Sequence, residues 1–120
     1  MELSQIHDVS VLRFSGEVQL NQLQQIEQVL KRLTLLHTKK ILIDMSSVDY
    51  VHYKVVYSIV RNTIMSRFMD GDIKFVNLNG EARDVVRFVG AHQVIEDFSS
   101  ISEAIMSFDD ELRTRKRIYH

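Results

Sequence analysis

The chain has no cysteine. Disulfide frameworks and thiolate zinc sites are thereby excluded, and an intracellular location is expected. Proline is absent and only four glycines occur in 120 residues, so no Pro/Gly/Ser-rich linker divides the chain and a single domain is expected. The apolar runs fall far short of the roughly eighteen residues of a membrane span, and MELSQIH has neither the basic nor the long apolar region of a secretion signal. A cytoplasmic protein is expected, meeting a membrane only through a larger assembly. The five histidines, His7, His37, His52, His92 and His120, are scattered, with no two three or four residues apart; no metal site is expected.

The net charge of -1 conceals a split, because Arg113, Arg115, Lys116 and Arg117 crowd the tail. Without them, 11 basic residues face 16 acidic ones, and the body is near -5. An acidic body argues against a nucleic-acid face. The tail, 113–120 beyond a domain of 1–112, is read as a solvated helix end complementing the dipole, with a phosphate- or lipid-binding patch as the functional alternative.

What is present alternates between two periods. Val9 to Phe14 is rich in strand formers and ends at Gly16, and a shorter strand around Leu3 to His7 precedes it. Asn21 with Gln24 reads as a cap for a helix carrying Leu23, Ile26, Leu30, Leu33 and His37 at three- and four-residue spacing. KKILIDM is a short apolar run suited to a strand buried on both faces. A helix from about Tyr53 to Met69 is expected to close at Gly71 in the left-handed conformation.

IKFVNL is the next strand. Asn79 caps a short helix with Ala82, Val85, Val86 and Val89, closed by Gly90. VIEDF is a last short strand, and Ser100 with Glu103 forms a capping-box signature ahead of Ile101, Ile105, Phe108 and Leu112. This order implies an α/β domain: a mixed, mostly parallel sheet of about four or five strands, the first antiparallel, covered by about four helices.

The succession VLRFSGEV, a helix, ILIDMSSVDYV before a helix, and DIKFVNLNGEARDVVRFVGAHQVIEDFSSISEAI resembles the anti-sigma factor antagonist domain, also called STAS, over Val9 to Phe108. In that family the segment after the central strand usually reads Asp-Ser-x-Gly, and a partner kinase phosphorylates its Ser or Thr. Without gaps the motif falls on His52, Tyr53, Lys54 and Val55, so its Asp, Ser and Gly are all replaced. A family acidic residue just after the Gly-Glu turn falls near Gln19, which is neutral. A tyrosine carries its hydroxyl several ångströms farther out on a rigid ring. No phosphorylation is therefore expected at the motif position, Tyr53.

His52 has the residue type of a general base, but no nucleophile elbow, Gly-rich phosphate loop or paired carboxylates accompany it. Catalysis is not expected, nor is a cofactor. On a helix starting near Tyr53, Val56, Ile59, Val60 and Thr63 share the arc that faces the sheet. Tyr53, Tyr57, Ile64 and Phe68 share the neighbouring arc, making the apolar surface wider than one sheet contact needs. That excess is read either as core between helices or as a docking surface with tyrosine anchors.

The resemblance places the partner-binding face at this helix start and at the loop after the Gly-Glu turn. The expected contact residues are Glu17, Gln19, His52, Tyr53, Lys54, Tyr57, Ile64 and Phe68. Expected partners are an anti-sigma or kinase-like protein, or a second copy in a homodimer. The alternatives are a small-ligand or nucleotide sensor and a STAS subunit of a membrane transport assembly.

Overall fold

The computed structural model describes the backbone of residues 1–119 and the side chains of residues 1–110. Leu112, the basic tail side chains and His120 lie outside the described residues. Strands β1 (Glu2–Ile6), β2 (Val9–Val18), β3 (Lys40–Val51), β4 (Asp72–Val76) and β5 (Asp97–Phe98) form one five-stranded sheet in the order β1-β2-β3-β4-β5. β1 runs antiparallel to β2, and every later pair is parallel. Helices α1 (Leu23–Leu35), α2 (Tyr53–Phe68), α3 (Gly80–Phe88) and α4 (Ile101–Tyr119) follow β2, β3, β4 and β5 in turn.

Alternation along the strands divides the core. Ile41, Ile43 and Met45 of β3 turn to the face covered by α1, α2 and α3, where they meet Ile26, Leu30, Val56, Ile59 and Val86. Leu42 turns the other way, with Val9, Val11 and Val76, onto Ala104 and Phe108 of α4. KKILIDM is thus buried on both faces, as a central parallel strand requires.

One residue of β4 breaks the apolar rule. Lys74 is fully buried beneath α4. Its ammonium donates to Ser107 Oγ at 2.8 Å, stands 3.5 Å from Glu96 Oε1, and lies 4.5 Å from the centre of the Phe108 ring. A hydrogen bond, an opposite charge and an aromatic face together offset the desolvation of the ammonium.

Several element ends differ from the sequence reading. α1 starts at Leu23 behind a 3-10 turn, Leu20–Gln22, whose capping box uses Gln19 and Gln22 rather than Asn21 and Gln24. Asn79 precedes α3 without a side-chain capping bond. Gly90 does take the left-handed conformation past α3, with φ 77°, and Ser100 Oγ accepts from Glu103 N–H at the start of α4.

After α2 the left-handed residue is Asp70 (φ 64°), not Gly71. Glycine is required at 71 for space: a Cβ there would sit 2.7 Å from Ser66 Oγ and 2.8 Å from the Lys39 carbonyl oxygen. A backbone oxygen anchored in the chain entering β3 cannot retreat freely. Gly71→Ala is therefore expected to destabilise the fold by about 1–3 kcal/mol, as overpacking does, read as a lowered chemical-denaturation midpoint.

β2 does not stop at Gly16 but continues to Val18, with register shifts between Arg13 and Ser15 and between Gly16 and Glu17. Gly16 adopts φ 67° at this irregularity, a conformation that glycine takes without a Cβ penalty. β3 is likewise longer than the apolar run suggested. Lys40 to Asp44 pair with both β2 and β4, whereas Ser47 to Val51 pair with β2 alone. The β2–β3 ribbon thus projects past the other strands and delivers the start of α2.

Candidate functional site

At the tip of the ribbon, His52 N–H donates to the Val18 carbonyl at 2.8 Å, fixing the entry to α2. His52 is the N-cap: its backbone is extended (φ -66°, ψ 137°), and Nδ1 accepts the Lys54 N–H at 3.1 Å. The imidazole thus does the work usual for Ser, Thr, Asp or Asn, satisfying one of the open N–H groups of the first turn. His52→Ala should cost about 1 kcal/mol of stability, visible in thermal unfolding as a lower Tm with helix content retained.

The cap also organises aromatic rings. His52 stacks on Tyr53 with centroids 4.7 Å apart and planes at 24°, and Tyr53 meets Tyr57 edge-on at 6.0 Å and 87°. Both tyrosines point outward: Tyr53 is 45%, Tyr57 47%, Ile64 44% and Phe68 81% exposed. The opposite side of α2 is buried through Val56, Ile59 and Thr63, with Val60 half-buried at the edge. Val55 and Ser58 are buried as well, Ser58 donating to Glu27 on α1 at 2.9 Å.

Glu17 and Gln19 belong to the same edge. Glu17 pairs with Tyr50 in register, and its carboxylate accepts from the Gln19 amide at 3.1 Å. Six of the eight expected residues (Glu17, Gln19, His52, Tyr53, Lys54 and Tyr57) therefore converge at the ribbon tip and the first turns of α2. Ile64 and Phe68 continue the stripe, roughly 16 and 22 Å from Tyr53 along the helix axis at 1.5 Å per residue. Arg61 interrupts it, held by Glu27 at 2.8 Å. Met65, exposed beside Ile64, was missed by the sequence reading; it is one position off the tyrosine arc, and only exposure identifies it.

No serine or threonine stands at positions 52 to 55, and the nearest serine along the helix, Ser58, is buried and bonded. Among the described residues no group of three His, Asp or Glu side chains converges as metal ligands, and no helix is long and apolar enough to cross a membrane.

The sequence reading also missed a buried carboxylate below the ribbon. Asp44 is fully buried, its Oδ2 accepting from Arg13 Nε at 3.0 Å and its Oδ1 from Ser46 N–H at 3.0 Å and Asn77 Nδ2 at 3.4 Å. Burial pushes this carboxyl up. The Ser46 N–H and hydroxyl, the Asn77 amide and the Arg13 guanidinium outweigh it and hold Asp44 below the usual carboxylate range.

A five-stranded sheet with one antiparallel edge, a projecting ribbon and a helix start at its tip defines the class of anti-sigma factor antagonist folds. A Thermotoga maritima protein, solved as a candidate anti-sigma factor antagonist, superposes with a TM-score of 0.81 at 18% identity, covering 88% of this chain and 92% of its own. The anti-sigma factor antagonist SpoIIAA in its unphosphorylated form gives 0.70 at 18% identity, over 94% and 96%. The murine anion transporter Slc26a9 gives 0.71 at 16%, over 86% of this chain and 18% of the transporter. At such identities the likeness carries the fold alone. No curated protein matches the sequence. The STAS domain model matches residues 1–104, and the chain belongs to that family.

Proposed function

We propose that this STAS domain is a non-catalytic docking module. Its face of Glu17, Gln19, His52, Tyr53, Lys54 and Tyr57, continued by Ile64 and Phe68, binds a protein partner and blocks or positions it by occupancy. The carrying observation is the exposed aromatic run on α2, braced by the His52 cap and the Tyr53–Tyr57 edge contact. Two tyrosines supply large contact area with a polar tip each, at low entropic cost. The regulatory hydroxyl of the family motif is replaced, so control in this chain runs through abundance or competition rather than through serine or threonine phosphorylation.

The partner is an anti-sigma or kinase-like protein, by analogy with the solved antagonists, or a second copy. Residues 1–112 are the docking domain, 113–120 a basic extension, and the setting is cytoplasmic. Light scattering separates the two partners: a concentration-independent dimer assigns the face to self-association, and a monomer assigns it to another protein. The chain used as bait, beside its Tyr53→Asp variant, tests the face. Equal capture of the same partner by both would count against it.

A second reading, a STAS unit within a transport assembly, is favoured by the likeness to the murine anion transporter. Co-sedimentation with membranes from the native host, and its loss on membrane solubilisation, would favour that reading.

A further inference from the structure

The exposed stripe of α2 reads the same from either end of the helix. Tyr53, Tyr57, Ile64 and Phe68 are spaced by four, seven and four residues, so Tyr53 and Phe68, and likewise Tyr57 and Ile64, stand at equal distances from a midpoint between Val60 and Arg61. Taking the docking face proposed above as given, we infer that its occupant is a second copy of this chain, with α2 packed antiparallel against α2 about a two-fold axis at that midpoint.

Helix geometry alone fixes the convergence of these side chains. At 100° per residue the four, with half-buried Val60 at their edge, fall within an arc of about 80°, a straight stripe along the axis. A two-fold contact is self-complementary: residue i of one copy meets j of the other, and j meets i. Antiparallel pairing about the midpoint sets Tyr53 against Phe68 of the other copy and Tyr57 against Ile64. All four are covered in one interface, and the symmetry of their spacing acquires a cause that an unrelated partner would not supply.

Charge does not oppose the pairing. Arg61, at the midpoint, would meet its own counterpart across the axis, but Glu27 of the same copy neutralises it at 2.8 Å. Lys54 and Arg67 come to one level across the axis, yet they stand on opposite flanks of the stripe, and Arg67 is bound to Asp72 at 2.9 Å.

The area is sufficient. Three rings of roughly 150–250 Å² each, exposed by 45% at Tyr53, 47% at Tyr57 and 81% at Phe68, leave roughly 350 Å² uncovered, and Ile64 with Met65 beside it raises this to roughly 500 Å² per copy. The pair together buries roughly 1,000 Å², the lower bound for a specific interface. The contacts of Tyr53 with His52 and Tyr57 hold the rings in place beforehand, which lowers the ordering cost of association.

The chain has no cysteine, so introduced thiols report the register directly. In the full chain carrying both Tyr57→Cys and Ile64→Cys, mild oxidation should give a disulfide-linked dimer, because positions 57 and 64 of opposite copies share a level. Within one copy they lie about 10 Å apart along the axis, too far to bridge. Tyr57→Cys alone should stay unlinked, since its counterpart across the axis is equally distant. Light scattering of the unaltered chain should show a dimer, and Ile64→Asp should raise its dissociation constant about 100-fold or more, as the two-fold counts each lost contact twice. Phe68→Ser, at the most exposed position of the stripe, serves should the aspartate variant lose its fold.

A monomer at every concentration tested, linkage of Tyr57→Cys alone, or a dimer that both Ile64→Asp and Phe68→Ser leave intact would each overturn the pairing. The docking face itself is tested separately: a monomer whose Tyr53→Asp variant loses capture of another protein overturns only the second copy as occupant, whereas a monomer with equal capture by both removes the face as well.

Discussion

Replacing Tyr53 by aspartate is expected to raise the dissociation constant of the docked partner about 30-fold or more, equivalent to about 2 kcal/mol, the loss typical of a central aromatic anchor. The ring is nearly half-exposed in the lone subunit, so its removal opens no core cavity. The change in Tm should stay within a few degrees, since the ring stacks on His52 and meets Tyr57 at the surface and belongs to neither core cluster. Aspartate at the first turn of α2 also suits the helix dipole, which holds the fold steady while the contact is removed. Titration calorimetry with the purified partner, paired with thermal unfolding, checks both halves. Unaltered affinity would remove Tyr53 from the interface, and a collapse of Tm would make the variant uninformative about binding, in which case Tyr57→Ala replaces it.

Asp44→Asn is expected to give the largest loss of stability. Removing one partner of a buried ion pair typically costs ~3–5 kcal/mol. Arg13 is about half-exposed (48%) and regains water, which lowers the expectation to about 2–3 kcal/mol. The pH dependence has a fixed sign. The folded Asp44 carboxyl lies below its ordinary value, so the unfolded chain binds the proton more readily. The stabilisation is present in full above the unfolded value of about 3.9 and is lost as pH falls through the folded one. Denaturation at pH 7 and pH 3 should therefore show a wide gap between wild type and variant at the higher pH and a narrower one at the lower. An equal gap at both would mean that the charge on Asp44 is not what stabilises the ribbon base.

Much of this was legible in the chain. The strand-forming run at Val9 to Phe14, the nearly continuous apolar KKILIDM and the helical spacing of Val56, Ile59 and Thr63 each report a local geometry that burial must respect, and the order of elements along the chain and the helix count follow from them. The outward aromatic arc of α2 was legible too, as a surplus of apolar residues over what one contact consumes. Its fate was not, because a stripe at helical spacing reads the same whether a neighbouring helix or solvent covers it. The lengths of β2 and β3 were hidden for a related reason: beyond the apolar core their residues are polar, and only pairing between Ser15–Val18 and Ser47–Val51 makes them strands.

The sequence by itself determined the alternation of strands and helices, the family, and the absence of serine and threonine from 52 to 55, since these depend on residue type and spacing along one line. Tertiary structure alone decided that Lys74 is buried, that Gly71 serves space rather than conformation, that His52 caps α2, and that Arg13, Asp44 and Asn77 form one polar knot. The cap is a contact two residues apart, and the other three depend on atoms from segments far apart in the chain meeting within a few ångströms. A buried charge is tolerated only where its partners arrive from elsewhere in the fold.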